Sequence, residues 1–241
     1  MSGHSKWSQI KHKKAITDAK KGKIFSKMVR LIAVAARAKG KDPESNPTLR
    51  TLIDTARSLN MPIENIERAI AKGAGELEGS KIEEFLLEAY GPGGSALLIE
   101  GATDNHNRTV SEIKYLLSEH NSKLANPGSV LWMFEHQGSL AVKSSPAKKD
   151  ELELAAIDAG AQDINWPDGE TLEIYTKPEE LEKTRKALEE KNIKAGDASL
   201  VWTPKNETAI ADPKDKERLE KLFEALDDND DVNEIYSNVN L

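Results

Sequence analysis

Seven lysines crowd the first 23 residues, namely Lys6, Lys11, Lys13, Lys14, Lys20, Lys21 and Lys23, with His4, His12 and Trp7 interleaved among them. Ammonium groups at this density bind a polyanion by displacing its condensed counterions, and an indole among them can stack on an unpaired base. The mixture points to nucleic acid. The competing reading is a solvated polybasic tail with Trp7 folded onto neighbouring helices. A membrane surface is the other polyanion, but the apolar residues that follow fit a helical core, so no membrane partner is expected.

A second polar cluster is Thr103-Asp104-Asn105-His106-Asn107-Arg108-Thr109, denser than a strand-to-helix turn requires. Free N–H groups at a helix N-terminus can hold a phosphate, and Arg108 would add a two-pronged donor. Asn105, Asn107 and Arg108 are therefore a secondary binding candidate; ordinary capping and turn chemistry is the favoured alternative. Gly91-Pro92-Gly93-Gly94 fits a hairpin loop better than a phosphate loop, and Gly73-Ala74-Gly75 through Lys81 fails the P-loop spacing. Asp227, Asn229 and Asp231 open like a calcium loop, yet Val232 stands where its glycine belongs and Asn238 where its glutamate belongs. The five histidines form no H-x-x-x-H pair, and there is no cysteine. Thiolate metal sites, disulfides and cysteine nucleophiles are thereby excluded. No nucleophile, base and orienting group can be placed together. No enzyme, metal or cofactor is expected.

The chain has 241 residues with 34 Lys+Arg and 41 Asp+Glu, a net charge of −7. That figure hides a polarity. Residues 1–79 carry 16 basic and 8 acidic side chains, a balance of +8, and residues 80–241 carry 18 and 33, a balance of −15. Residues 1–41 alone hold twelve basic side chains and one acid, Asp18. A basic module for an anionic partner is joined to an acidic body, which has its own potential for protein partners. The longest apolar run, residues 31–36, is far short of the ~20 residues of a spanning helix. A cytoplasmic protein is expected.

Several elements must position these groups. Residues 1–22 show no clean apolar period and read as an arm. Beyond them Lys20, Lys23, Lys27, Arg30, Arg37 and Lys41 fall within roughly 50° of one helical direction, opposite Phe25, Met28, Val29, Ile32, Ala35 and Ala36. This predicts a helix ending near Gly40 with a basic stripe continuing the arm, so Lys27, Arg30 and Arg37 join the binding candidates. Helices over 47–59 and 62–72 complete a three-helix unit. After a linker at 73–80, strands are predicted at 83–90, 95–102, 129–135, 138–143, 162–166, 171–176, 198–203, near 207–211, and at 232–238. Helices are predicted at 107–120, 147–159, 179–191 and 213–227, with Thr109 and Glu112 as a capping box. Residues 138–203 run β-α-β-β-α-β, the ferredoxin-like order. The fold class is α+β in three domains: the basic arm and helices at 1–79, a discontinuous domain at 80–136 and 205–241, and an inserted ferredoxin-like domain at 137–204.

Several blocks together carry a resemblance. They are Gly3-His4-Ser5-Lys6-Trp7, Ile10-Lys11-His12-Lys13-Lys14, Gly22-Lys23-Ile24-Phe25-Ser26-Lys27, Asn46-Pro47, Met61-Pro62 and Ile66-Glu67-Arg68-Ala69-Ile70. Tyr90-Gly91-Pro92-Gly93-Gly94, the 103–109 cluster, Gly128-Ser129-Val130, Trp132-Met133-Phe134, Asp230-Asp231-Val232 and Tyr236-Ser237-Asn238 continue it along the chain. This pattern resembles the YebC/PmpR family. The resemblance implies a helical N-terminal domain followed by two α+β domains and a non-enzymatic regulator. Bacterial members of that family are described as DNA-binding transcriptional regulatory proteins. A mitochondrial relative activates translation of a cytochrome oxidase subunit, and some bacterial relatives act with the ribosome. The first motif begins at Gly3, close to Met1, which favours a bacterial cytoplasmic protein. Two stretches depart from the pattern: Asn121-Ser122 where glycines are usual, and Leu87-Glu88-Ala89 before Tyr90. DNA-binding transcriptional regulation is the leading expectation, and an RNA- or ribosome-associated translation factor, contacting rRNA or tRNA, is the alternative. Phosphate contacts serve both equally.

Overall fold

Helix α1 (Asp18–Lys39) turns Ile24, Met28, Ile32, Ala35 and Ala36 inward, with Phe25 and Val29 half-buried beside them. Helices α2 (Pro47–Ser58) and α3 (Ile63–Gly73) close over that row with Leu49, Ile53, Ala56, Ile66 and Ala69. The computed structural model describes residues 18–77, 81–143, 149–196 and 198–239. Asn46 locks the first turn of the unit. Its Oδ1 accepts from the Leu49 amide at 3.1 Å, while its Nδ2 donates to the Ala35 and Gly40 carbonyls, each at 2.8 Å. One buried amide thus caps α2 and finishes α1. Gly73 packs so closely on α1 that a Cβ there would stand 2.2 Å from the Ala33 carbonyl oxygen.

Two antiparallel sheets follow. The first has strand order β3-β1-β2-β8, built from β1 (Glu83–Tyr90), β2 (Ala96–Thr103), β3 (Lys123–Leu124) and β8 (Val232–Ser237). The second has order β5-β6-β4-β7, from β4 (Phe134–Lys143), β5 (Asp163–Asn165), β6 (Thr171–Thr176) and β7 (Ser199–Pro204). The first sheet draws on both sides of the second in sequence. Helices α4 (His106–Glu119) and α7 (Pro213–Asp227) cover one face of the first sheet, where Ile113, Leu117, Leu219, Leu222, Phe223 and Leu226 meet Leu97 and Ile99. Ala96, Leu98 and Tyr236 meet Phe134, Val201 and Tyr175 of the second sheet. Covering both faces explains why β2 is apolar without alternation. Helices α5 (Lys149–Asp158) and α6 (Leu181–Glu190) pack on Leu140, Val142, Leu172 and Ile174 of the second sheet. Its order with β-α-β-β-α-β connectivity is the ferredoxin-like arrangement. The architecture is α+β.

Three local expectations are corrected. The strand predicted at 129–135 is instead a turn of 3-10 helix at Leu131–Met133, and one strand runs from Phe134 to Lys143. Glu88 is the reason: its buried carboxylate accepts from the amides of Gly128, Val130 and Leu131 at 2.5, 2.5 and 2.8 Å, taking donors a ladder would need. Near 207–211 there is only an isolated parallel bridge between Thr208 and Val239. Helix α4 is capped by Asn105, whose Oδ1 accepts from the Arg108 amide at 3.1 Å, and Thr109 lies inside the first turn rather than at the cap. Asn121 adopts φ 54°, a left-handed conformation that glycine and asparagine tolerate best, so the departure from the usual glycine keeps the turn.

Candidate nucleic-acid interface

Lys6, Trp7, Lys11, His12, Lys13 and Lys14 lie outside the described residues. Lys20 and Lys21 fall on α1, in the part that continues the arm. The stripe farther along α1 is the part of the expected surface whose geometry is visible, and it does not face solvent as a continuous band.

Lys27 is buried, its side chain 3% exposed, and its Nζ donates to the Asp227 carbonyl oxygen at 2.6 Å and to Asp227 Oδ1 at 3.1 Å. Lys23 Nζ lies 3.1 Å from Asp228 Oδ1. Arg30 donates through NH1 to the Asp230 carbonyl at 3.1 Å and sets NH2 2.8 Å from Asp231 Oδ1. Successive turns of α1 therefore fit onto the acidic segment between α7 and β8. The helical spacing of the cations, one turn apart, matches a short run of carboxylates that ends a helix. Arg37 leaves this row: its NH1 donates to the Ile82 carbonyl at 2.7 Å, just ahead of β1. Lys41 pairs with Glu76.

Asp231 is the hub of the junction, its side chain 3% exposed. Its Oδ2 accepts from Thr109 Oγ1 at 2.5 Å, Arg108 NH2 at 2.7 Å and Thr103 Oγ1 at 3.0 Å. Burial pushes this carboxyl's pKa up, but the donors from Thr109, Arg108 and Thr103 with the charge of Arg30 outweigh it and hold the carboxyl below its usual range. Arg108 is further tied to Asp104 at 3.1 Å. The polar cluster at 103–109 is thus explained by capping and by this hub. Asn105 is the cap, Arg108 and both threonines bind Asp231, and Asn107 remains at the exposed surface of the first turn. Of the secondary candidates, Arg108 has its charge matched by carboxylates from two sides.

Sequence reasoning missed the acidic half of this interface. In the sequence, Asp227, Asn229 and Asp231 show only the opening of a calcium loop without its glycine or glutamate. The signal was the charge polarity itself, since +8 and −15 units on one chain attract each other as readily as outside partners. Among the described residues no group of three or more His, Asp or Glu could hold a metal ion, and no helix is long and apolar enough to cross a membrane.

A helical module whose basic face is clasped by an acidic turn of an α+β body, with a ferredoxin-like unit between the halves of the first sheet, defines the class of protein. Comparison with known proteins gives the family. Residues 5–76 match the TACO1/YebC protein N-terminal domain, and residues 82–239 match the TACO1/YebC second and third domain. The chain belongs to the TACO1/YebC family. It is 49% identical over 243 residues to a protein of Halothermothrix orenii, covering 100% of this chain and 96% of that one, and that relative is named "Probable transcriptional regulatory protein". A relative from Desulfosudis oleivorans with the same name is 47% identical over 241 residues, with 100% and 97% covered. A crystal structure of a conserved hypothetical protein from Aquifex aeolicus superposes with a TM-score of 0.86 at 44% identity, covering 98% of this chain and 97% of that one.

Proposed function

We propose that this protein is a nucleic-acid-binding regulator of gene expression, a DNA-binding transcriptional regulator by the names its relatives carry. The observation that carries the reading is the concentration of twelve basic side chains and one acid in residues 1–41. With Lys23, Lys27 and Arg30 matched to carboxylates, the phosphate contacts fall to Lys6, Lys11, Lys13, Lys14, Lys20 and Lys21, with Trp7 and His12 beside the bases. We read the molecule as a binding protein and not as an enzyme, because its densest polar cluster is committed to the Asp231 junction. A cytoplasmic location accompanies that reading.

One observation favours RNA as the target. The described helix richest in cations turns its stripe onto carboxylates, so it does not offer a groove-reading face of the helix-turn-helix kind. Trp7 amid lysines suits unpaired bases. Crosslinking followed by sequencing of the bound nucleic acid, run beside polysome sedimentation, separates the two. Crosslinks concentrated in promoter DNA, with the protein at the top of the gradient, support the transcriptional reading. Crosslinks to rRNA or tRNA with co-migrating ribosomal particles support the translational one, and crosslinks to neither overturn the proposal.

A further inference from the structure

A cavity of about 190 Å³ lies at the seam between the helical unit and the body, floored by Ala33 and Ile82. Arg37 of α1, Lys72 at the end of α3 and Lys81 at the start of the body line it together. These cations are 35 and 9 residues apart in sequence, and only the docking of the helices brings them around one space. Their electrostatic situation differs from that of their neighbours. Lys23, Lys27, Arg30 and Lys41 each have a carboxylate within ion-pair distance, whereas among the described residues Arg37, Lys72 and Lys81 have none. Arg37 is oriented by its bond to the Ile82 carbonyl, which fixes the guanidinium at the wall and leaves further N–H donors on its planar fork.

The backbone contributes nothing comparable to a phosphate loop. The amides of Ala74 and Gly75 donate to the Ile70 and Lys72 carbonyls, closing the end of α3. Recognition in this cavity therefore rests on side-chain cations, three of them, and their mutual repulsion is relieved by an oxyanion of more than one charge. We propose that the seam binds a phosphate group. The cavity has room for the group and part of its ester substituent, and the phosphate would bridge the helical unit to the body at a point the acidic clasp does not reach. Two sources share this chemistry: a phosphodiester of a bound strand and a free phosphomonoester.

The test uses the full chain and amide NMR signals of Gly73, Gly75 and Ile82. Inorganic phosphate should move these signals saturably where chloride at matched ionic strength does not. The Lys72→Gln/Lys81→Gln protein should weaken the effect at least tenfold with an unchanged melting midpoint, since neither lysine makes an ion pair with a described residue; Lys81→Gln alone serves the same comparison should the pair fail to fold. A salt slope for an oligonucleotide without a terminal phosphate that falls by about two in the variant assigns the site to a strand. An unchanged slope with lost binding of adenosine monophosphate assigns it to a free monoester. The phosphate titration requires no nucleic acid, so it stands or falls apart from the regulator reading. Absence of a saturable shift with inorganic phosphate, or equal shifts in wild type and variant, overturns the proposal.

Discussion

Asp231 gathers two arginines and two threonine hydroxyls from α1, β2 and α4 onto a single carboxylate. Removing the charge while keeping the shape, as in Asp231→Asn, leaves Arg30 without its carboxylate and Arg108 with Asp104 and Glu112 alone. The expected cost is about 3 kcal/mol, the low end for breaking a buried pair because Arg108 is half in water. Thermal or urea unfolding checks this, and a loss below about 1 kcal/mol would show that the hub is dispensable. Glu88 acts alike on the 128–131 segment: burial raises its pKa, and the three amide donors more than reverse that. Both carboxyls sit below their ordinary range, so each contributes stability that is complete above the unfolded value of about 4 and declines as pH falls through the lower folded value. The melting midpoint should be level from pH 7 to about 5 and drop below 4. Asp231→Asn should flatten the drop, whereas a decline centred near pH 6 would implicate other groups.

At the scale of elements, α1 binds two partners at once, its apolar row against α2 and α3 and its cations against the acidic segment. Lys27→Glu would place a buried carboxylate against Asp227, and it should destabilise by roughly 3 kcal/mol or more. Asp227→Lys added to it should restore part of that loss. A double-mutant cycle measures the coupling, and strict additivity would mean the pair contributes nothing beyond its two separate charges. Close packing is the other constraint. Gly73→Ala drives a methyl against the Ala33 carbonyl, with an expected loss of about 1–3 kcal/mol by denaturant titration. Stability equal to wild type would show that α3 can slide on α1.

At the scale of the molecule, the acidic body and a nucleic acid are rival partners for the N-terminal cations, and the body takes Lys23, Lys27 and Arg30. Replacing Lys11, Lys13 and Lys14 with Ala should weaken nucleic-acid binding and leave the melting midpoint unmoved, because Lys23, Lys27 and Arg30 hold α1 to residues 227–231. With four to six arm contacts, the slope of log K against log salt on duplex DNA should be about −4 to −5, taking −0.9 per phosphate. A slope near zero would defeat the electrostatic account of the N-terminal region.

The sequence alone determined whatever depends on the projection of neighbouring residues. Leu219, Leu222, Phe223 and Leu226 repeat at core spacing, and all four are buried on the first sheet. The β-α-β-β-α-β order, the helical unit and the family blocks were legible for the same reason, being local patterns with fixed periods. The charge polarity was legible too, but its destination was not. Lys27 and Asp227 are 200 residues apart, and an amphipathic stripe looks the same whether carboxylates or phosphates will face it. The strand predicted at 129–135 failed likewise, because Glu88 captures its amides from 40 residues or more away. Periodicity reports which side of an element a residue takes. Only the tertiary structure decided what stands on that side, since the pairing of distant charges and donors depends on how the helices and sheets dock.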